Sequence, residues 1–287
     1  MSAILKLVQG TKEWHDHRAH SRNASETPAV LGVSPWLTPY GLWLLRTGRK
    51  QQEVTPAMQH GTQLEPAARR AYELLTGNVM EPLVLQEGSY SASLDGITLG
   101  GELILEIKCP FKGRASELWR DVAKGEVPIN YWYQVQHQLF VAAGAELAHL
   151  YVFDGTEGVL MDIKPKPETW KQITAAWDTF QRYLDTDTPP PLTDRDTRLR
   201  GDKEWIGAAA TYISAKQAAD DSAAALDVAK AALIGLASHS SESGGGVKVT
   251  RFSKVGAIDY KKIPELKGVD LERYRGKARE EVRVTVG

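Results

Sequence analysis

Ser93-Leu94-Asp95-Gly96 is followed, after a short glycine-containing stretch, by Glu106-Ile107-Lys108. In an extended strand successive side chains alternate between faces, so Glu106 and Lys108 point the same way, along with Ile104. Leu103, Leu105 and Ile107 then face the opposite side and pack into a core. A turn at Thr98-Leu99-Gly100-Gly101 folds the preceding strand back, which brings Asp95 close to Glu106. Two carboxylates held together repel each other unless a proton or a cation sits between them. Hard oxygen ligands with open water positions suit Mg²⁺ or Mn²⁺. A protonated Lys108 beside them is a poor metal ligand, but it can hold an attacking water or stabilise charge building on a phosphate. The combination fits phosphodiester hydrolysis. By itself, an E-x-K triplet fits an ordinary charged surface strand better; with Asp95 on the paired strand the two readings are balanced.

The elements that must position these residues are legible in outline. Thr11 to Arg18 begins a helix with Thr11 as its N-cap, and Ser25 is expected to cap a short helix from Glu26 to Leu31. Pro39 onward, YGLWLLRTGRK, predicts a helix ended by Gly48. His60 to Thr76 shows clear helical periodicity, with Gly77 as its stop. Strands are expected at Met80 to Gln86, Tyr90 to Ile97 and Glu102 to Lys108. Helices follow at Ser116 to Lys124 and Ile129 to Ala143. A strand pair is expected at His149 to Phe153 and Val159 to Ile163, then a helix from Trp170 to Leu184. This order is mixed α/β. Pro189-Pro190-Pro191 marks a boundary, which gives a core over 1–195 and an extension over 201–287. In the extension, Lys203 to Ala237 reads as one or two Ala-rich helices, and 238–246 (SHSSESGGG) as a flexible linker. Residues 247–287 carry 11 Lys/Arg against 6 Asp/Glu, a small basic module.

Composition narrows the class. The chain has 287 residues, 42% hydrophobic and 25% charged, as expected for a soluble globular protein. No window is long and apolar enough for a membrane span, and the N-terminus lacks the basic flank and cleavage site of a signal peptide. A lone cysteine, Cys109, excludes an intrachain disulfide and any multi-cysteine metal site, and it fits a reducing cytoplasm. Cys109 points away from Lys108, so core packing is expected. The formal net charge is −1. Binding to a polyanion must therefore rest on a local basic patch rather than on overall charge. Arg46, Arg49 and Lys50 are one such cluster, fitted either to a DNA backbone or to a solvated helix end. Trp36, Trp43, Trp119, Tyr131 and Trp132 are expected mostly in the core, with base stacking as the alternative. His60 and His137 lack metal-ligand spacing and read as structural.

The blocks EWHDHR (13–18), NASE (23–26), LGVSPWLTPYGLW (31–43), GTQLEPAARRAYE (61–73), SLDG (93–96), LEIKCPF (105–111) and YWYQVQHQL (131–139) together resemble the phage lambda exonuclease and YqaJ-type viral recombinase family of the PD-(D/E)XK nuclease superfamily. The likeness runs from about Gln9 to Val141. Leu94 stands where the superfamily has a proline that is not a ligand. The resemblance implies a restriction-endonuclease-like α/β core: a central mixed sheet flanked by helices, followed here by a C-terminal helical and small basic extension. It implies that Asp95, Glu106 and the backbone carbonyl of Ile107 bind Mg²⁺ (Mn²⁺ substituting) and that Lys108 is catalytic. Glu65 would complete the site directly or through water, and Gln134 would support it. Arg18, Ser25 and Ser93 would grip a 5′ phosphate, a role suited to a guanidinium fork and serine hydroxyls.

The same resemblance implies a 5′-to-3′ exonuclease that digests one strand of linear double-stranded DNA and leaves a 3′ overhang. It further implies a ring-shaped homotrimer, a single-strand annealing protein as partner, and a phage or prophage gene expressed in the bacterial cytoplasm. A structure-specific or restriction-type endonuclease on the same fold is the alternative, since a fold does not determine activity. A DNA-end-binding protein without catalysis is the third reading, opposed by the full set of catalytic-type residues.

Overall fold

The computed structural model of the chain describes residues 2–254, 256, 263–266 and 269–270. It comprises two units, residues 1–198 and residues 199–287.

In the first unit β1 (Ala3–Leu5) is followed by α1 (Lys12–His20), whose N-cap Thr11 accepts from the Trp14 N–H as expected. β2 (Arg22–Asn23), a 3-10 turn (Ala24–Glu26) and the one-turn helix α2 (Thr27–Val30) come next. Ser25 thus lies inside the 3-10 turn and is not the cap; Asn23 occupies that position. α3 (Pro39–Arg46) and α4 (Pro56–Thr76) precede β3 (Glu81–Glu87), β4 (Tyr90–Ile97) and β5 (Leu103–Lys108). α5 (Glu117–Ala123) and α6 (Ile129–Val141) lead to β6 (Leu147–Phe153) and β7 (Gly158–Ile163), and α7 (Pro167–Asp185) follows.

The strands form one mixed sheet in the order β1-β3-β4-β5-β6-β7, with β2 alongside β4. β5 and β6 run parallel from Leu103↔Leu147 to Lys108↔Val152, and α5 and α6 make the crossover between them. Both faces of the sheet are covered. On one, Ala92, Leu94, Ile104, Leu150 and Val152 pack with Val135 and Leu139 of α6. On the other, Leu103, Leu105, Ile107 and Cys109 pack with Ala68 and Tyr72 of α4. Burial on both sides explains why β6, LAHLYVF, is almost wholly apolar. A third cluster joins α2 and α3 to α7 through Leu42, Trp43, Ile173, Trp177 and Phe180.

In the second unit, α8 (Lys203–Leu236) is a single helix, capped by the Asp202 carboxylate, which accepts from the Trp205 N–H. Its interior is Ala-rich and contains no proline, so nothing divides it in two. The stretch read as a flexible linker holds instead a β-hairpin, β8 (Ser241–Gly244) and β9 (Val247–Thr250). Gly245 and Gly246, at φ +57° and +84°, make the two-residue turn, a conformation that non-glycine residues resist. Most of the basic module after Thr250 lies outside the described residues.

Candidate functional site

The strands that carry the predicted acids do not pair as a plain hairpin. The β4–β5 ladder consists of Gly96↔Leu105 and Ile97↔Ile104 only. Farther along β4 the neighbour on that side is β2, at Tyr90 and Ser91. On the other side of β4, the register against β3 jumps from Leu83↔Leu94 to Glu81↔Ile97. β4 therefore carries an extra residue between Leu94 and Ile97, a bulge that re-aims the side chain at its centre. That side chain is Asp95. Its Oδ2 accepts from the Ile107 N–H at 2.7 Å, across the opening where the strands part. Gly96 is required beside it: a Cβ there would meet Met80 Cβ at 2.7 Å and Leu105 Cβ at 3.3 Å.

Glu106 is 3% exposed. Its carboxylate accepts from Gln134 Nε2 (2.7 Å), from Gln138 Nε2 (2.5 Å) and from the Lys108 ammonium. The two glutamines are one helical turn apart on α6 and share a face. Glu65 on α4 pairs with Arg69 at 2.8 Å, and Arg69 Nε donates to the Asp95 carbonyl at 2.6 Å. The helix acid is thereby fixed to the bulged strand.

Burial pushes the Asp95 carboxyl well above the ordinary carboxylate range, and the charges of Glu106 and Glu65 add to the effect. The Glu65 carboxyl is also raised, first by burial and then by Glu106, against the opposing charge of Arg69. Burial works against the Lys108 ammonium, but Glu106 and Asp95 outweigh it and hold the lysine above its usual range. Beside these carboxylates the Lys108 ammonium is a charged donor. Burial lifts the Cys109 thiol to about 11, which leaves it an inert core group.

A second device stands at the side of the same cleft. The Arg18 guanidinium lies over the Trp14 ring at 4.6 Å and donates to Ser25 Oγ at 3.0 Å. Trp14 Nε1 donates to Ser93 Oγ at 3.0 Å. Trp14 thus ties Arg18 to Ser93 although α1 and β4 are far apart in the chain. Arg18, Ser25, Glu65, Ser93, Asp95, Glu106, Ile107, Lys108 and Gln134 all line this single cleft of about 820 Å³.

Sequence reasoning missed Trp14, Arg69 and Gln138. For Gln138 the signal was present in QVQHQ, where i and i+4 share a face. For Arg69 and Trp14 no local pattern announces the contact. The basic cluster separates. Arg46 is partly buried and donates to the carbonyls of Arg18, Ala19 and Ser21 and to the Glu26 carboxylate. Arg49 forks onto Asp187 at 2.7 and 2.8 Å. Arg46 braces the fold, whereas the Arg49 pair is exposed at the surface. Trp43 and Trp119 are buried as expected, Tyr131 and Trp132 are partly so, and Trp36 stands exposed. Buried His137 sits 2.6 Å from Thr27 Oγ1, a structural contact.

Among the described residues no group of three or more His, Cys, Asp or Glu side chains forms a ready-made metal cage. The donor chemistry still fits a divalent ion. Mg²⁺ is commonly held by one or two carboxylates and keeps several waters, and here burial and then the charges of Glu106 and Glu65 raise the Asp95 carboxyl beside an open cleft.

A bulged mixed sheet flanked by helices, with two acids and a lysine at the point where its strands part, defines a mixed α/β fold with an acidic cleft. Residues 13–146 match the family described as the YqaJ-like viral recombinase domain. The uncharacterized protein YqaJ of Bacillus subtilis (strain 168) is 30% identical over 136 residues, which cover 45% of this chain and 41% of that protein. The chain thus matches less than half the length of this relative. The alkaline exonuclease LHK-Exo of Laribacter hongkongensis superposes with a TM-score of 0.52 at 22% identity, covering 71% of this chain and all of that one. LHK-Exo in complex with dAMP gives 0.52 at 24% identity, covering 62% of this chain and 94% of that one. These two structures share the fold.

Among the described residues no helix is long and apolar enough to cross a membrane.

Proposed function

We propose that this protein is a divalent-metal-dependent deoxyribonuclease that degrades linear double-stranded DNA from a 5′ end. The observation that carries this reading is the meeting in one cleft of the Asp95–Glu106–Lys108 cluster and the Arg18–Ser25–Ser93 clasp. The first suits hydrolysis of a phosphodiester, and the second suits retention of a terminal phosphate. The relatedness to an alkaline exonuclease fold and to a viral recombinase domain supports it.

Asp95, Glu106 and the Ile107 carbonyl would hold Mg²⁺ or Mn²⁺, with Glu65 joining directly or through water. When bound, the ion supplies Lewis-acid stabilisation of phosphoryl charge and an acidified water. The protein's own groups do the rest. Gln134 and Gln138 keep the Glu106 carboxylate in one orientation. The Lys108 ammonium donates to the incoming water or to a non-bridging phosphate oxygen as charge develops. Arg18, Ser25 and Ser93 hold the 5′ phosphate one nucleotide from the bond to be cut. Water attacks phosphorus, the P–O3′ bond breaks, and a nucleoside 5′-monophosphate leaves. The shortened strand then carries a new 5′ phosphate that can re-enter the clasp. A structural relative is known in complex with dAMP, the class of product this scheme releases.

On this reading the protein leaves 3′ overhangs for a single-strand annealing partner, acts in the cytoplasm of a bacterial host, and encircles DNA as a homotrimer. A ring would let a chain of net charge −1 retain a polyanion by topology rather than by charge alone. The decisive experiment uses 5′- and 3′-end-labelled duplexes with and without a 5′ phosphate, in Mg²⁺. Wild type should release labelled mononucleotide from the phosphorylated 5′ end. Lys108→Ala should bind the duplex and lose at least about 100-fold in rate. Equal digestion of covalently closed circles would replace the exonuclease with an endonuclease, and normal rates in the variant would remove Lys108 from the mechanism.

A further inference from the structure

The clasp and the acidic cluster leave the mouth of the cleft unexplained. Trp36 lines this mouth and is 70% exposed, a placement that leaves a large apolar surface in water. Its loop is not loose. Ser34 Oγ accepts from the N–H groups of Trp36 and Leu37 at 3.3 and 3.2 Å. Arg195 donates to the carbonyls of Ser34 and Pro35 at 2.9 and 2.8 Å. A braced backbone thus holds the indole out, so its exposure is built in. The indole meets the Tyr131 ring at 5.9 Å between centroids, and Lys108 Nζ lies 5.6 Å from the centroid of that same ring. Indole and phenol therefore form a step from the solvent to the reacting lysine. Met58 and Phe111, also exposed, line the same cleft. Its polar cluster is thus bordered by apolar and aromatic surface.

We propose that Trp36 is a stacking subsite for the nucleobase adjoining the scissile phosphate, so that this nucleotide is drawn out of the duplex stack as it is cut. The inference rests on the nuclease reading of the cleft. Aromatic faces accept any base without sequence preference, and the step through Tyr131 places such a base beside the group that acts on its phosphate. Tyr131, half-buried against Lys108, supports the indole.

The test is a cycle between enzyme and substrate. Wild type, Trp36→Ala and Trp36→Phe are assayed on 5′-phosphorylated duplexes carrying one abasic residue at the first, second or third nucleotide of the cut strand. Trp36→Ala should lower kcat/KM on the intact duplex by about tenfold. The abasic lesion should cost wild type a similar factor at the position next to the scissile bond. At that position the two losses should not multiply, and Trp36→Phe should recover most of the rate. Losses that multiply at all three positions, or a Trp36→Ala enzyme with the wild-type rate, would overturn the proposal. If wild type hydrolyses no DNA, the nuclease reading fails, and the same cycle is read as duplex Kd on metal-free protein. Coupling in Kd would then sustain the stacking subsite, and independent losses would reject it.

Discussion

Glu106 is the most constrained residue of the site. A buried carboxylate with one ammonium and two amide donors cannot turn, and an orientation held in advance costs nothing at the moment of reaction. Gln138 contributes to that constraint from beneath, and it is itself buried. Gln138→Ala is expected to leave the protein folded and to lower kcat by about tenfold to 100-fold, the usual range for a group that orients a metal-binding residue, the role proposed for Glu106. Steady-state rates beside a thermal melt check this; an unchanged kcat would leave Gln138 as packing only. The same scale shows the limit of strand alternation as a guide. Alternation placed Glu106 and Lys108 together and Cys109 in the opposite core. It could not place Asp95, because the bulge breaks the alternation at that residue. Gly96 was the available hint, since an isolated glycine within a strand often marks a bulge or a close backbone approach.

At the scale of elements, α6 fastens the site to the helical layer. Gln134 and Gln138 reach Glu106, Gln136 Nε2 donates to the Lys164 carbonyl at 2.7 Å, and His137 meets Thr27 of α2. The QVQHQ run is polar yet largely buried, which makes it costly to assemble and specific once assembled. His137 gives this element a pH signature. Burial lowers its pKa from 6.5 to about 3. The unfolded chain takes up a proton as the pH falls below about 6.5, and the folded chain does not until about 3. Stability from this group is therefore fully present above pH 6.5 and is lost on acidification. By pH 5 the loss should be about 2 kcal/mol. Urea unfolding at pH 7.5 and 5.0 measures it, and His137→Asn should flatten the difference. An equal pH dependence in that variant would assign the proton to another group. Arg46 teaches the opposite lesson about elements. A cationic helix end in sequence looks like a DNA contact, but a guanidinium that meets three carbonyls and a carboxylate closes the fold.

For the molecule as a whole, net charge and assembly are the open physical questions. Under the proposed function a nearly neutral chain needs some means other than bulk charge to stay on DNA, and the proposed ring provides one. Native mass spectrometry at low micromolar concentration should therefore give three times the chain mass. A monomer that still digests many nucleotides per encounter, under excess competitor DNA, would contradict this. The second unit shows that composition alone misjudges order. SHSSESGGG has the composition of a linker, yet Gly245 and Gly246 supply a two-residue turn and β8 and β9 close around it. The Gly-Gly turn was legible; the pairing of polar strands around it was not.

The chemistry of the site was written locally, in side-chain type and period. A period of two placed Glu106 and Lys108 on one face, and helical spacing on α6 aligned Gln134 with Gln138. These relations hold within one element, so a single chain segment carries them. The remaining features depend on where separate segments meet. The aim of Asp95 follows from a bulge against β3 and from the parting of β4 and β5. The link from Arg18 through Trp14 to Ser93 follows from α1 lying beside β4. The engagement of Arg46 within the fold follows from the carbonyls and carboxylate that tertiary packing brings to it. The Asp, Glu and Lys that could hydrolyse a phosphodiester were visible in the chain, but their convergence in one cleft with Arg18, Ser25 and Ser93 was a result of packing.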